Sequence, residues 1–350
     1  MAAPDHASRD MNTPAPPLPS APHTKRDPLT GLFIGLLMVA VAIFGGLSPE
    51  RFFSTETWRS MAFQLPELGI LTLAMMIPLI SGGLNLAIIA TANLSGLVMA
   101  TVLTRLLGPE SSPALVAGVI ALALLAGLGG ALLTGLLSGT IVASLRVHPI
   151  LVTLGTMMLV KGIAVAATRG GVIGGFPSAI QFLGNGTLLG VPVSMIIFGI
   201  CAAAVGVLLR RTPFGVSVRM IGSNEPATRF SGVNTTRVLI GVYLVSSCLC
   251  WVAALVMIAR FNSARAGYAE SYLLVTILAA VLGGVDPFGG FGRVRTVVLS
   301  LVLLQIISTG FNLLGFSPHL TEAIWGATMI LALVISFVRT RRENRPAPAN

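Results

Sequence analysis

Of the chain's 350 residues, 54% are hydrophobic and 10% are charged, and the mean hydropathy is +0.89. A soluble domain carries about 25% charged residues, so a soluble enzyme is excluded. A helix crosses a bilayer in about 20 apolar residues, so the length holds about ten spans with their connections. The expected fold class is all-α, a polytopic integral membrane protein of about ten transmembrane helices.

The formal net charge of +10, taken alone, fits nucleic acid or an anionic surface. Placement decides against nucleic acid. Basic residues sit in the gaps between apolar runs, at Arg210, Arg211, Arg219, Arg229 and Arg237 and at Arg339, Arg341, Arg342 and Arg345. Cytoplasmic loops of membrane proteins carry this bias, and no basic domain stands outside the membrane runs. Cys201, Cys248 and Cys250 lie in apolar runs, where a thiol acts as a small hydrophobe. No disulfide framework or zinc spacing is visible.

In chain order, residues 1–28 combine Pro14, Pro16, Pro17 and Pro19 with Ala, Ser and charge. Such a segment buries too little surface to fold alone, and a disordered cytoplasmic tail is expected. Lys25 and Arg26 precede the run 32–47, which has signal-peptide features, including Ala40-Val41-Ala42 as a small-residue cleavage site. Because many spans follow, it is read as an uncleaved first span. Apolar runs bounded by Gly, Pro or charge then cover 65–81, 84–104, 115–143, 149–167, 188–209, 237–259, 273–284, 296–314 and 320–338, making ten.

With the N-terminus inside and the sides alternating, 15 Lys and Arg residues fall inside and 6 outside, while Lys161 sits within a span. Both termini, including a short tail 341–350, are therefore expected in the cytoplasm. Gly82-Gly83, followed by Asn85, and Gly283-Gly284, followed by Asp286-Pro287, hint at an internal duplication of the kind transporters use. Glycine also serves simply to let helices pack closely.

A chain that hydrolyses ATP needs a G-x-x-x-x-G-K-[ST] phosphate cradle. The only lysines, Lys25 and Lys161, follow Thr24 and Val160, so any ATP is handled by another polypeptide. An ion-coupled carrier needs ionisable groups at membrane depth. Glu67 and Glu322 lie near the starts of their runs, where a helix N-terminus and nearby water suit a carboxylate. Lys161 alone looks deep, with no evident carboxylate partner. A membrane-embedded enzyme needs a nucleophile, metal cluster or acid/base pair, and His6, His23, His148 and His319 form no such cluster. No catalytic residue, metal site or cofactor of the chain's own is expected.

The longest polar gap, 211–234, reads as two short helices on the cytoplasmic side. Thr212 caps the first with Pro213 at N1, and it ends near Gly222. Asn224 caps the second, with Glu225 and Pro226 in its first turn and Ser231-Gly232 at its end. Phe214, Val218, Met220, Ile221 and Phe230 mix there with Arg219, Glu225 and Arg229. That composition suits docking into a groove on a partner protein and equally suits lying on the inner membrane surface. Glu225 and Arg229, four residues apart, are spaced to pair along the second helix.

This segment resembles the conserved cytoplasmic loop of bacterial ABC-type importer permeases for ribose and other simple sugars, a family shared with branched-chain amino acid permeases. The resemblance rests on Thr212-Pro-Phe-Gly215 and on Ile221-Gly222-Ser-Asn224-Glu225-Pro-Ala227-Thr-Arg229-Phe-Ser231-Gly232-Val233. It continues in Ser81-Gly82-Gly83-Leu84-Asn85-Leu86, Ala259-Arg260-Phe-Asn-Ser263-Ala264, Ile277-Leu-Ala279-Ala280-Val281-Leu282-Gly283-Gly284, Gly289-Gly290-Phe-Gly292-Arg293 and Asn312-Leu-Leu-Gly315. It covers residues 29–340, the permease domain.

The resemblance implies a permease that pairs with a second copy or a related heterodimer partner. A cytoplasmic ABC ATPase using ATP and Mg²⁺ docks on residues 212–234, and a periplasmic substrate-binding protein delivers the sugar. The ATPase-coupling residues would be Thr212, Pro213, Phe214, Gly215, Gly222, Asn224, Glu225, Ala227, Arg229, Ser231 and Gly232. Uncharged polar groups near membrane depth suit a sugar or polyol, and Ser81, Asn85, Thr91, Asn93, Gln305 and Asn312 are the candidates for the path, although such groups also serve as glue between helices. Nucleosides, autoinducer-type sugars and branched-chain amino acids are rival solutes. The expected location is the bacterial inner membrane. Asn85 stands where the family carries Asp, Ala87-Ile88-Ile89 where it carries Ser-Val-Gly, Val216 where it carries Arg, and Leu273-Leu-Val275 where it carries an acidic residue. These departures bear on the solute rather than on the transport mechanism.

Overall fold

The computed structural model describes residues 28–108, 111–317, 319–321, 323–327 and 330. The apolar helix α1 (Pro28–Leu47) is followed by the single turn α2 (Pro49–Phe52). Ser54 caps α3 (Thr55–Ile80) by accepting the Thr57 amide, and α3 continues through Pro66 and Pro78 to Ile80. Next come α4 (Ile88–Leu106), α5 (Pro113–Leu145) with Pro113 at N1 behind the Ser112 cap, and α6 (Pro149–Thr168). Two small antiparallel pairs are interleaved with helices. β1 (Ile173–Gly174) precedes α7 (Ser178–Asn185), and β2 (Thr187–Leu188) pairs with β3 (Val191–Pro192). The long α8 (Val193–Arg211) leads into the short α9 (Pro213–Ser223) and α10 (Glu225–Phe230). Then follow α11 (Thr235–Phe261), β4 (Ser263–Ala264), which pairs with β1, α12 (Tyr272–Leu282) and α13 (Val294–Leu313).

Eight of these helices are long and apolar enough to cross a membrane. Burial sorts them into layers. The apolar window of α3 is 89% buried and those of α4 and α11 are 67% buried, whereas that of α5 is 22% buried. The three inner helices therefore make the core, and α1, α5, α6, α8 and α13 surround it. Small residues on α5 allow the close approach. Gly127 lies against Met99 and receives the Ser95 hydroxyl on its carbonyl at 2.9 Å, while Gly135 and Gly139 lie against Ser247, Tyr243 and Ile240 of α11. With lipid as solvent, such backbone proximity supplies the packing that hydrophobicity alone does not.

Nine of the ten expected runs correspond to helices, counting the 11-residue α12. The tenth, 320–338, lies mostly outside the described residues, as do Glu322, the tail 341–350 and all but the last residue of the tail 1–28. Two boundaries and one unanticipated helix need correction. The run 188–209 begins as a helix only at Val193, because Leu189 and Gly190 take positive φ in the hairpin turn between β2 and β3. The run 65–81 is the inner part of a helix that starts at Thr55, since Glu56, Arg59, Ser60 and Gln64 dilute its first turns. The short α7 was absent from the reading; Asn185 fastens it to the end of α11 by donating to the Ala259 and Arg260 carbonyls.

Candidate functional site

The segment 212–234 sits at the arginine-rich end of the bundle. Thr212 Oγ1 accepts the Gly215 amide at 3.2 Å and donates to the Leu208 carbonyl, so the cap of α9 is also a tether to α8. Pro213 occupies N1, Gly215 packs on the Leu208–Leu209 backbone, and the Phe214 ring lies over Gly241 of α11. Asn224 Oδ1 accepts the Ala227 amide at 2.9 Å and caps α10. Asn234 then caps α11 through the Arg237 amide. Side-chain caps thus define the starts of α9, α10 and α11.

Val218 and Ile221 are buried beneath α9, while Glu225, Ala227, Arg229, Ser231 and Gly232 are exposed on α10 and its exit. Phe230 is 93% exposed. Glu225 and Arg229 do not form an ion pair with each other; the only two ion pairs among the described residues are elsewhere. Glu225 opens its helix at N1, where the exposed amides favour a carboxylate without a basic partner. Burial, and then the positive fields of Arg210 and Arg293, push the Arg219 guanidinium below its usual pKa. Three like charges thus converge beside α9.

The inner end of α9 is the most crowded point. The Gly290 amide donates to the Ile80 carbonyl at 2.8 Å, and Gly222 lies against both groups, with no room for a side chain. Gly82 and Gly289, both at positive φ, complete the junction. The first Gly-Gly turn and the Gly289–Gly290 segment therefore meet at the candidate coupling helix. The turns at Gly82-Gly83 and Gly283-Gly284 also share a form. Gly82 and Gly83 donate to the carbonyls of Leu79 and Pro78, and Gly284 and Val285 donate to those of Val281 and Ala280. These are paired helix-ending bonds of the same kind. Asn85 Oδ1 then accepts the Ala87 amide, as Asp286 Oδ1 accepts that of Phe288. Phe288, strongly exposed beside this junction, was not singled out by the sequence reading.

The six path candidates do not gather round one cavity. Ser81 donates to the Pro78 carbonyl, and Asn85 Nδ2 donates to Ser246 Oγ at 3.0 Å. Thr91 pairs with Thr134, and Asn93 Nδ2 donates to the carbonyls of Ala266 and Tyr268. Gln305 Nε2 donates to Gln64 Oε1 at 3.3 Å. These five are buried, whereas Asn312 is exposed near the far end of α13. In this conformation Asn85, Thr91, Asn93 and Gln305 join helices and loops to one another, and Ser81 closes the end of its own helix.

Two ion pairs involve residues of the apolar helices, and they correct the position expected for Glu67 and the lack of a partner expected for Lys161. Glu67 is not at a helix start; it lies twelve residues into α3, fully buried, and pairs with Arg260 at 2.8 Å. Lys161 does have a carboxylate partner, Glu270, at 2.8 Å. Both partners come from residues remote in sequence, so no local spacing announces them.

Residues 59–333 match the family model described as a branched-chain amino acid transport system / permease component. Among curated proteins, the chain is 31% identical over 305 residues to the autoinducer 2 import system permease protein LsrD of Yersinia enterocolitica, covering 85% of this chain and 88% of that one. It is 32% identical over 303 residues to the ribose import permease protein RbsC of Escherichia coli K12, covering 85% and 91%. No solved structure matches it. The apolar helical bundle and these matches agree: the chain is a multi-pass membrane protein and belongs to the permease-component family of branched-chain amino acid transport systems.

Proposed function

We propose that the chain is the membrane permease of an ATP-driven importer for a simple sugar or sugar alcohol, set in a bacterial inner membrane with both termini in the cytoplasm. Its partners are a cytoplasmic ATPase that uses ATP and Mg²⁺, a second permease copy and a periplasmic binding protein. The chain itself contributes no catalytic group.

The observation that carries this reading is the position of Gly222, pressed between the Ile80 carbonyl and Gly289–Gly290. A force applied to α9 and α10 passes through that contact to the end of α3 and to the turn joining α12 and α13. It also passes directly into α8 and α11 through the Thr212 and Asn234 caps. Closely packed elements move as bodies rather than deform, so closure of the ATPases on ATP would tilt these helices and open or shut a path. Exposed Phe230 and the Arg219 cluster give the ATPase an apolar anchor and a positive field.

The test is reconstitution in liposomes with the cognate ATPase and binding protein. Labelled ribose, autoinducer 2, hexoses, sugar alcohols, nucleosides and branched-chain amino acids are offered, the first two because LsrD and RbsC carry those names. ATP-dependent uptake of a sugar supports the reading. Uptake driven by an ion gradient without ATP overturns it and removes the coupling role from residues 212–234.

A further inference from the structure

The ion pair of Lys161 and Glu270 lies where hydrocarbon is the default solvent. Thr153 of α6 donates its hydroxyl to the Leu84 carbonyl, in the Gly-Gly turn at the arginine-rich end. Lys161 is eight residues further along, about 12 Å at 1.5 Å per residue. Glu270 precedes α12, whose 11 residues rise about 16 Å from the second Gly-Gly turn at the same end. Against a hydrocarbon layer of about 30 Å, both groups stand near mid-depth. Yet their side chains are 46% and 50% exposed. Charged groups at that depth face a bundle interior or a water-filled cavity, not lipid.

A second feature points the same way. Because α12 is too short to cross, residues 262–271 bring largely non-helical chain down to that depth. Two of its carbonyls, those of Ala266 and Tyr268, are taken up by Asn93 at 2.9 Å each. Irregular backbone within a bilayer persists only where protein buries it or where it lines an aqueous cavity, and broken helices form solute sites in transporters. Gly267, Glu270 and Ser271 remain exposed in this segment.

We propose that Lys161, Glu270 and the segment before α12 line the water-filled solute route, and that Lys161 donates hydrogen bonds to, and Glu270 accepts them from, an uncharged, hydroxyl-bearing solute. The solute class rests on the importer reading above; the aqueous route does not. A lysine ammonium offers three donors and a carboxylate offers only acceptors, so together they match hydroxyl groups, while their cancelling charge holds neither a cation nor an anion strongly.

The experiment replaces Cys201, Cys248 and Cys250 with Ala and introduces Ser271→Cys, which leaves the pair intact, in the full transporter in membrane vesicles. A membrane-impermeant thiol reagent is applied, with Leu125→Cys on the outer face of α5, 67% exposed, as the lipid-facing control. Rapid labelling at 271, at least tenfold above that at 125, is expected. D-Ribose and other neutral sugars should slow it severalfold, and adding Lys161→Gln or Glu270→Gln should abolish that protection. Labelling no faster than at Leu125→Cys overturns the aqueous route. Labelling that neutral sugars leave unchanged, or that only the anion gluconate slows, overturns the solute contact. Labelling needs no turnover, so failure of the importer reading appears separately, as missing ATP-dependent uptake.

Discussion

Arg260 Nη1 and Glu67 Oε1, 193 residues apart in sequence, meet at 2.8 Å and fasten the far end of α11 to the middle of α3. Glu67 is fully buried, and its other oxygen, Oε2, has no hydrogen-bond partner. The carboxylate therefore depends on one guanidinium. Arg260→Ala should lower stability by about 3 kcal/mol, the cost of leaving a buried charge alone, whereas the double change Glu67→Leu with Arg260→Met should recover most of it. Thermal unfolding in detergent decides the matter. Equal losses in the single and double variants would show that packing, not charge, holds this contact.

Gly222→Ala places a methyl group where the Ile80 carbonyl and the Gly290 amide now meet. The Gly290 to Ile80 hydrogen bond must lengthen, and α9 must move from the junction. Overpacking of this kind costs about 1–3 kcal/mol, so the variant should still insert and fold. ATP hydrolysis by the bound ATPase should continue while solute uptake falls at least tenfold. Paired ATPase and uptake assays check this; undiminished uptake removes Gly222 from the coupling route.

The spans, the caps at Thr212 and Asn224 and the Gly-Gly turns were legible because each is local: apolar length, a side chain two or three residues from the amide it accepts, a glycine ending a helix. The partners of Glu67 and Lys161 were not, since Arg260 and Glu270 reach them only through the folding of distant helices. Gly289 and Gly290 were legible as a motif, but not as the seat of α9. The polar residues chosen for the path show the limit of composition. Asn85 and Asn93 are uncharged and deep, as a sugar site requires, yet Asn85 donates to Ser246 and Asn93 gives its two donors to Ala266 and Tyr268.

That arrangement gives Asn85 a test. Its amide donates to Ser246 Oγ, which itself donates to the Ala74 carbonyl, joining the first Gly-Gly turn to α11 and α3. Asn85→Ala removes the bond to Ser246 and the turn bond to Ala87, and should cost about 1–3 kcal/mol. The order in which the transporter prefers its solutes should not change. Competition uptake at a temperature where the variant is folded measures this, and a reordered preference would return Asn85 to the solute path.

Phe230 closes α10 with its ring 93% exposed, while Thr228, two residues earlier, is buried against the bundle. Among the described residues nothing covers the ring, so Phe230→Ala should change stability by less than about 0.5 kcal/mol. Its value lies in association. An aromatic side chain entering a partner's pocket is the usual centre of an interface, worth about 2 kcal/mol or more on truncation, which corresponds to roughly a 30-fold weaker complex. The purified ATPase should therefore bind the Phe230→Ala permease in nanodiscs at least tenfold more weakly, and uptake should recover when the ATPase is supplied in excess. Recovery separates a docking role from damage to the solute route, which excess ATPase cannot repair. Unchanged affinity would move the anchor elsewhere on the same face, with Phe288, exposed beside the Gly222 junction, as the next residue to replace.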